Sequence, residues 1–154
     1  MTVDKVNLSR LSYVVYEHPD LPKFLEFSKD FGFESAGTAD DERTVFLRGY
    51  GPDPFVYVAR QAPAGQGRRF CGSGFTARTE EDFERACKME GAQLGDTSQR
   101  PGRGRLVSVP DVNGNPIEIV YGQKERHVPE KGLSRVFHGQ PNVNGSITKP
   151  RRGE

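Results

Sequence analysis

Few side chains in this sequence combine reactivity with a position that would aim them inward, and Glu118 is the clearest. It interrupts Ile117-Glu118-Ile119-Val120-Tyr121, a β-branched and aromatic run that reads as a strand, so alternation turns it away from Ile117 and Ile119. A carboxylate there is either a solvated face residue or a group looking into a cavity. In the cavity it would be a metal ligand or the partner of an Arg or a Tyr hydroxyl. Tyr13 is the second candidate. It lies midway along Leu8 to Glu17, another strand-like run, with Leu11, Val15 and Glu17 on its own side and Ser12, Val14 and Tyr16 on the other. It reads as an aromatic lining the same cavity and hydrogen-bonded to a carboxylate, and nothing in the sequence marks it as an activated acid.

The other reactive residues are poorly arranged for chemistry. His18, His127 and His138 form no i,i+4 pair and no HExxH, so a self-contained histidine metal site is badly supplied. Cys71 and Cys87 fit no zinc spacing and cannot make a disulfide framework; both are expected as small buried hydrophobes. Two Gly/Arg segments, 65–69 (GQGRR) and 100–105 (RPGRGR), could cradle an anion, but neither opens a helix after a strand, so both are expected as mobile loops. Asn7-Leu8-Ser9 and Asn144-Gly145-Ser146 match the glycosylation pattern, which chance explains in a chain whose N-terminus does not read as a signal peptide.

The elements that must position Tyr13 and Glu118 follow a repeating order. After the first strand, Asp20 caps a helix with Pro22 in its first turn. Leu21, Phe24, Leu25, Ser28 and Phe31 form its buried side, and Gly32 stops it. Three short β-prone pieces follow, Phe33 to Ala39, Arg43 to Arg48 and Phe55 to Gln61, punctuated as an antiparallel meander. The order then begins again. Phe70 to Arg78 is a strand loosened by Gly72 and Gly74, and Thr79-Glu80-Glu81-Asp82 resembles a capping box. The second helix buries Phe83, Ala86, Cys87 and Met89 and ends at Gly91; Gln93 to Thr97 is a weak strand, and Arg105 to Val109 with Pro116 to Tyr121 closes the set as a hairpin turning at 110–116. Two βαβββ units, residues 8–61 and 70–122, thus stand in tandem, offset by roughly sixty residues.

Composition narrows the class. At 154 residues the chain suffices for one domain with its own core, here residues 1–122. A net charge of +1 provides no general basic field for nucleic acid, and no apolar run approaches a membrane span, which points to a cytoplasmic protein. Residues 123–154 differ: they lack an apolar period and hold seven Lys/Arg against three acids, a net +4, so they read as an extended linker or docking tail.

With these residues in view, the sequence resembles the vicinal oxygen chelate superfamily of glyoxalases, bleomycin-resistance proteins and type I extradiol dioxygenases. The likeness rests on Arg10, Leu11 and Tyr13 of the opening strand and on Pro116, Glu118, Ile119, Tyr121 and Gly122 of the closing one, and it is strongest to the N-terminal module of the extradiol enzymes. It implies an α+β fold in which two βαβββ modules form one curved mixed sheet, a cup. Metal-bearing members of the family hold the ion with ligands from the first strand of each module and the last strand of the second. Here those positions offer Tyr13, Gly72 or Ser73, and Glu118, and only Glu118 is a ligand type.

The resemblance therefore implies a metal-free N-terminal module of an extradiol ring-cleaving dioxygenase, an oxidoreductase acting on catechol-type aromatics with O₂. Fe(II) would sit in a following catalytic module, and no catalytic residue is expected in this chain. The alternative is a stand-alone protein of the same fold, or a homo-oligomer, that holds a small aromatic or hydrophobic ligand without chemistry. Tyr13, Phe46, Tyr57, Gly72, Ser73, Phe75 and Glu118 would line its cup. An RNA-binding sandwich of ferredoxin type has the wrong number of strands per helix and would need aromatic motifs that are missing here.

Overall fold

The computed structural model describes residues 4–128. The expectations for the tail, including His138 and Asn144, lie outside them. Within this range the chain runs β1 (Leu8–His18), α1 (Leu21–Asp30), β2 (Glu34–Thr38), β3 (Thr44–Arg48), β4 (Tyr57–Gln61), β5 (Arg69–Ala77), α2 (Glu80–Cys87), β6 (Gln93–Leu94), β7 (Arg105–Pro110) and β8 (Pro116–Tyr121). The fold is α+β, with two successive βαβββ units as expected. Both helices start where the sequence places their caps: Asp20 accepts from the Lys23 N–H, and Thr79 accepts from the Asp82 N–H.

All eight strands belong to one curved open sheet in the order β2-β3-β4-β1-β5-β8-β7-β6. Each unit contributes four neighbours. β1 pairs parallel with β4, β5 pairs parallel with β8, and the only strand pairing between the units is the antiparallel one of β1 with β5. That seam carries register shifts at Leu8/Arg10, Leu11/Tyr13 and Val15/Tyr16.

The two faces of the sheet divide the core. On one face α1 covers Val45, Leu47 and Ala59 with Leu21, Phe24 and Leu25. On the same face α2 covers Val107, Val109 and Ile119 with Phe83 and Ala86. The opposite face buries Tyr13, Val15, Phe46, Val58, Leu106 and Val120 around Phe55. Period-two alternation produces this split, since Val45 and Leu47 of β3 go under the helix while Phe46 goes the other way.

Several expectations are corrected here. Leu11 is 54% exposed rather than aligned with Tyr13, because the bulge between them breaks the alternation. Phe31 and Met89 are exposed: each helix is already closing at that point, and Phe31 pairs with exposed Phe27 at 4.8 Å between ring centroids instead of reaching the core. Cys71 and Cys87 are free thiols but only half-buried, one near the end of a strand and the other on the last turn of α2. The weak strand expected over 93–97 shrinks to Gln93–Leu94, because Gly95, Asp96 and Thr97 already belong to the loop that follows. No helix among the described residues is long and apolar enough to cross a membrane.

Candidate functional site

Three side chains from distant parts of the sequence converge on the face opposite the helices. Tyr13 comes from β1, Glu118 from β8, and Arg100 from the loop between β6 and β7. Arg100 grips the carboxylate of Glu118 bidentately: Nη1 donates to Oε2 at 3.1 Å and Nη2 donates to Oε1 at 3.1 Å. The Tyr13 hydroxyl donates to Oε2 of the same carboxylate and accepts from Arg100 Nη1 at 2.9 Å. The arginine also lies toward the tyrosine ring, with Cζ 5.7 Å from its centroid. The Arg100 and Glu118 side chains are only 11% and 13% exposed, and Tyr13 as a whole is 2% exposed, packed at 4.8 Å against Phe55.

The backbone explains why these groups can meet. Tyr13 is level with Gly74 across the seam, and Gly74 is level with Glu118 on the next strand, so the three positions form one row across the sheet. A side chain at 74 would collide with the Tyr13 ring, so the glycine is the space into which the ring lies. Arg100 is delivered by a loop with its own framework. Its N–H donates to the Thr97 carbonyl, the Thr97 hydroxyl donates to the Gly104 carbonyl at 2.7 Å, and Gln99 Oε1 accepts from the Asp40 N–H at 2.8 Å. The segment expected as a mobile loop therefore supplies a buried cation held by defined hydrogen bonds.

Burial, reinforced by the negative charge of Glu118, pushes the Tyr13 hydroxyl above its ordinary pKa, so it remains a donor rather than a source of protons. For Arg100, burial pulls downward, but the hydrogen bond to Glu118 and the neighbouring charges outweigh it and hold the guanidinium above its ordinary value. The arrangement is a neutralised pair with a phenol attached. Its carboxylate oxygens already receive charged donors from Arg100.

Metal chemistry tests this position directly. The row offers a phenol, a glycine and one carboxylate whose two oxygens face a guanidinium, and a divalent ion needs lone pairs from several ligands without a competing cation in their midst. Among the described residues no cluster of three His, Cys, Asp or Glu side chains is placed to hold an ion. These residues do not fit a mononuclear centre.

The seven side chains expected to share a cup are divided by the sheet. Tyr13, Phe46 and Glu118 lie on the face opposite the helices, and Gly72, two residues from Gly74, shares it by alternation. Tyr13 and Phe46 are packed core rather than walls of an open space. Tyr57, Ser73 and Phe75 point the other way. Tyr57 stacks on Phe24 and on Tyr16 under α1, and alternation with Gly74 turns Ser73 and Phe75 to the helix side. The β5 position in the functional row is Gly74, not Gly72 or Ser73, because the bulge at Leu11/Tyr13 moves the register.

Arg100 and Gly74 are the two site residues that the sequence did not disclose. A trace of Gly74 was present, since glycines two apart in a strand share a face. His18 is buried away from this site, its ring 3.6 Å from that of Phe24 and its Nε2 2.9 Å from the Tyr57 hydroxyl. His127 is exposed after the last strand.

No family model and no curated protein matches the sequence. Solved structures do. A variant of homoprotocatechuate 2,3-dioxygenase from B. fuscum superposes with a TM-score of 0.66 at 21% identity, over 79% of this chain and 34% of that one. An anaerobic complex of the Brevibacterium fuscum enzyme with 3,4-dihydroxyphenylacetate matches with the same TM-score of 0.66, over 39% of its chain. The Mn(II)-bound glyoxalase from Novosphingobium aromaticivorans matches at 16% identity with a TM-score of 0.66, over 82% of this chain and 43% of that one. This chain thus spans well under half the length of each. What it shares with them is architecture: two βαβββ units joined through one central seam, the vicinal oxygen chelate fold.

Proposed function

We propose that this chain is a metal-free module of an extradiol dioxygenase-type protein, equivalent to the N-terminal part of such enzymes. Ring cleavage of a catechol-type aromatic by O₂ would take place in a following module that holds Fe(II), within cytoplasmic catabolism of aromatic compounds. The observation that supports this reading is the bidentate grip of Arg100 on Glu118, the single ligand-type residue in the row. An internal cation takes up the carboxylate that metal-bearing relatives would spend on an ion, and Tyr13 and Gly74 stand beside it where histidines would be needed. In this role the module contributes folding support, a wall for the catalytic half and contacts to it or to a second copy.

The rival reading, a stand-alone protein holding a small aromatic in the cup, gains less support, because Tyr13, Phe46, Phe55 and Val58 fill that face with packed side chains. Metal analysis after anaerobic incubation with Fe(II) or Mn(II), paired with a catechol-cleavage assay on this chain, tests the proposal. The expected result is substoichiometric metal and no ring-fission product. Stoichiometric iron with turnover would overturn it.

A further inference from the structure

A cleft on the helix side of the sheet has no part in the Tyr13–Arg100–Glu118 cluster. It lies between the C-terminal half of α1 and strands β2 and β3, with a volume of about 640 Å³. That is within the usual range for small-molecule sites, roughly 300–1,000 Å³. Its origin can be read from β2, whose sequence Glu34-Ser35-Ala36-Gly37-Thr38 contains no large apolar residue. The register sets Ser35 beside Leu47 and Thr38 beside Val45, so the two hydroxyl residues are those that face α1. Where a Leu or Ile would fill the angle between helix and sheet edge, short polar side chains leave it open.

The lining defines a chemistry. Leu25, Phe33, Val45, Leu47 and Tyr50 supply apolar and aromatic walls. Tyr50 leans over Gly32, so that a Cβ there would come within 3.0 Å of its ring carbon Cζ. At the rim, Glu34 is already paired with Arg48 at 3.0 Å. Lys29, in the last turn of α1, makes no ion pair among the described residues and leaves the rim positive.

We propose that this cleft is a ligand site, independent of the reading above, and that it takes a single-ring aromatic carboxylate. The ring would lie against Phe33 and Tyr50, and the carboxylate would meet Lys29 and the hydroxyls of Ser35 and Thr38. Aromatic walls favour a ring over an alkyl chain, and the uncompensated lysine favours an acid over an amine.

Phenylacetate is a suitable probe, titrated into the whole chain and followed residue by residue by NMR. Saturable shifts are expected at Leu25, Phe33 and Tyr50 and not at Tyr13 or Gly74. Lys29→Met should weaken phenylacetate about fivefold, the contribution of one partly exposed ion pair, while leaving neutral phenylethanol unchanged. Ser35→Trp, which fills the cleft from the sheet edge, should abolish binding with the unfolding temperature retained. The proposal is overturned by shifts that do not saturate, by shifts confined to the Tyr13 face, by Ser35→Trp binding as well as the natural chain, by tighter binding of hexanoate, or by self-association that covers the cleft.

Discussion

Replacing Arg100 with Met removes the cation but not the carboxylate it neutralises. Glu118 would remain only 13% exposed with Tyr13 as its one partner, an uncompensated charge inside the sheet face. Breaking a buried pair from one side costs about 3–5 kcal/mol. With a urea dependence of about 1–3 kcal/mol per molar, even the lower figure moves the denaturation midpoint by roughly 1–3 M. The second step of the cycle is Glu118→Leu in the Arg100→Met background. Once both charges are gone the site is apolar except for the Tyr13 hydroxyl, which loses both partners at a cost of about 1–3 kcal/mol, so stability should recover part of the way from the Arg100→Met level toward the starting protein. Coupling between the two substitutions is therefore expected to be large and favourable. An Arg100→Met variant that loses less than about 1 kcal/mol, or a double variant no more stable than the single one, would refute the argument that this pair is a closed internal clasp.

Other consequences can be measured in the same way. Gly74→Ala sets a methyl group against the Tyr13 ring, which is 2% exposed and has nowhere to move, and should cost about 1–3 kcal/mol in urea denaturation, whereas Gly67→Ala meets open space and should be near neutral. His18 is held below its ordinary pKa by burial and then by the charge of Arg68, with Phe24, Tyr16 and Tyr57 packed around it. Its contribution is complete above the unfolded value of 6.5 and is lost as pH falls through the lowered folded value, so thermal stability should drop on acidification and His18→Phe should flatten that slope. Asp82 is held down to about 2, first by the Asn7 backbone N–H and then by the Thr79 hydroxyl. Its contribution is present above the ordinary value of 3.8 and disappears as pH falls toward 2, and Asp82→Asn should remove that part of the acid unfolding profile. Finally, the combination Tyr13→His, Gly74→His and Arg100→Met supplies two imidazoles beside a released Glu118, and should bind Mn(II) in equilibrium dialysis where the natural chain does not; equal uptake by both would contradict the register that puts these residues in one row.

The fold was largely legible because its signals are local. Caps at Asp20 and Thr79, the stop at Gly32 and the alternation in the Pro116–Tyr121 strand each act over a few residues, and two repetitions of the same order left little freedom in assembly. The site was only half legible. Glu118 and Tyr13 stood out through their places in strands, but Arg100 lies in a loop without periodicity, and only the folded chain brings it within 3.1 Å of Glu118. Gly74 was missed for a different reason. One bulged residue in β1 shifts the partner of Tyr13, and no propensity in Leu11-Ser12-Tyr13 announces the bulge. The same one-residue sensitivity assigned Tyr57 and Phe75 to the wrong face.

The seam between β1 and β5 also bears on how the chain reaches this state. Within each unit most pairings join strands close in sequence, whereas Tyr13 must find Gly74 about sixty residues away, and the two units are hydrogen-bonded through no other strands. That junction spans a longer stretch of chain than the parallel pairs within each unit, so its closure is expected to limit refolding once the local hairpins have formed. Substitutions that smooth the bulged strand should accelerate refolding, and those confined to the outer strands should act on unfolding alone.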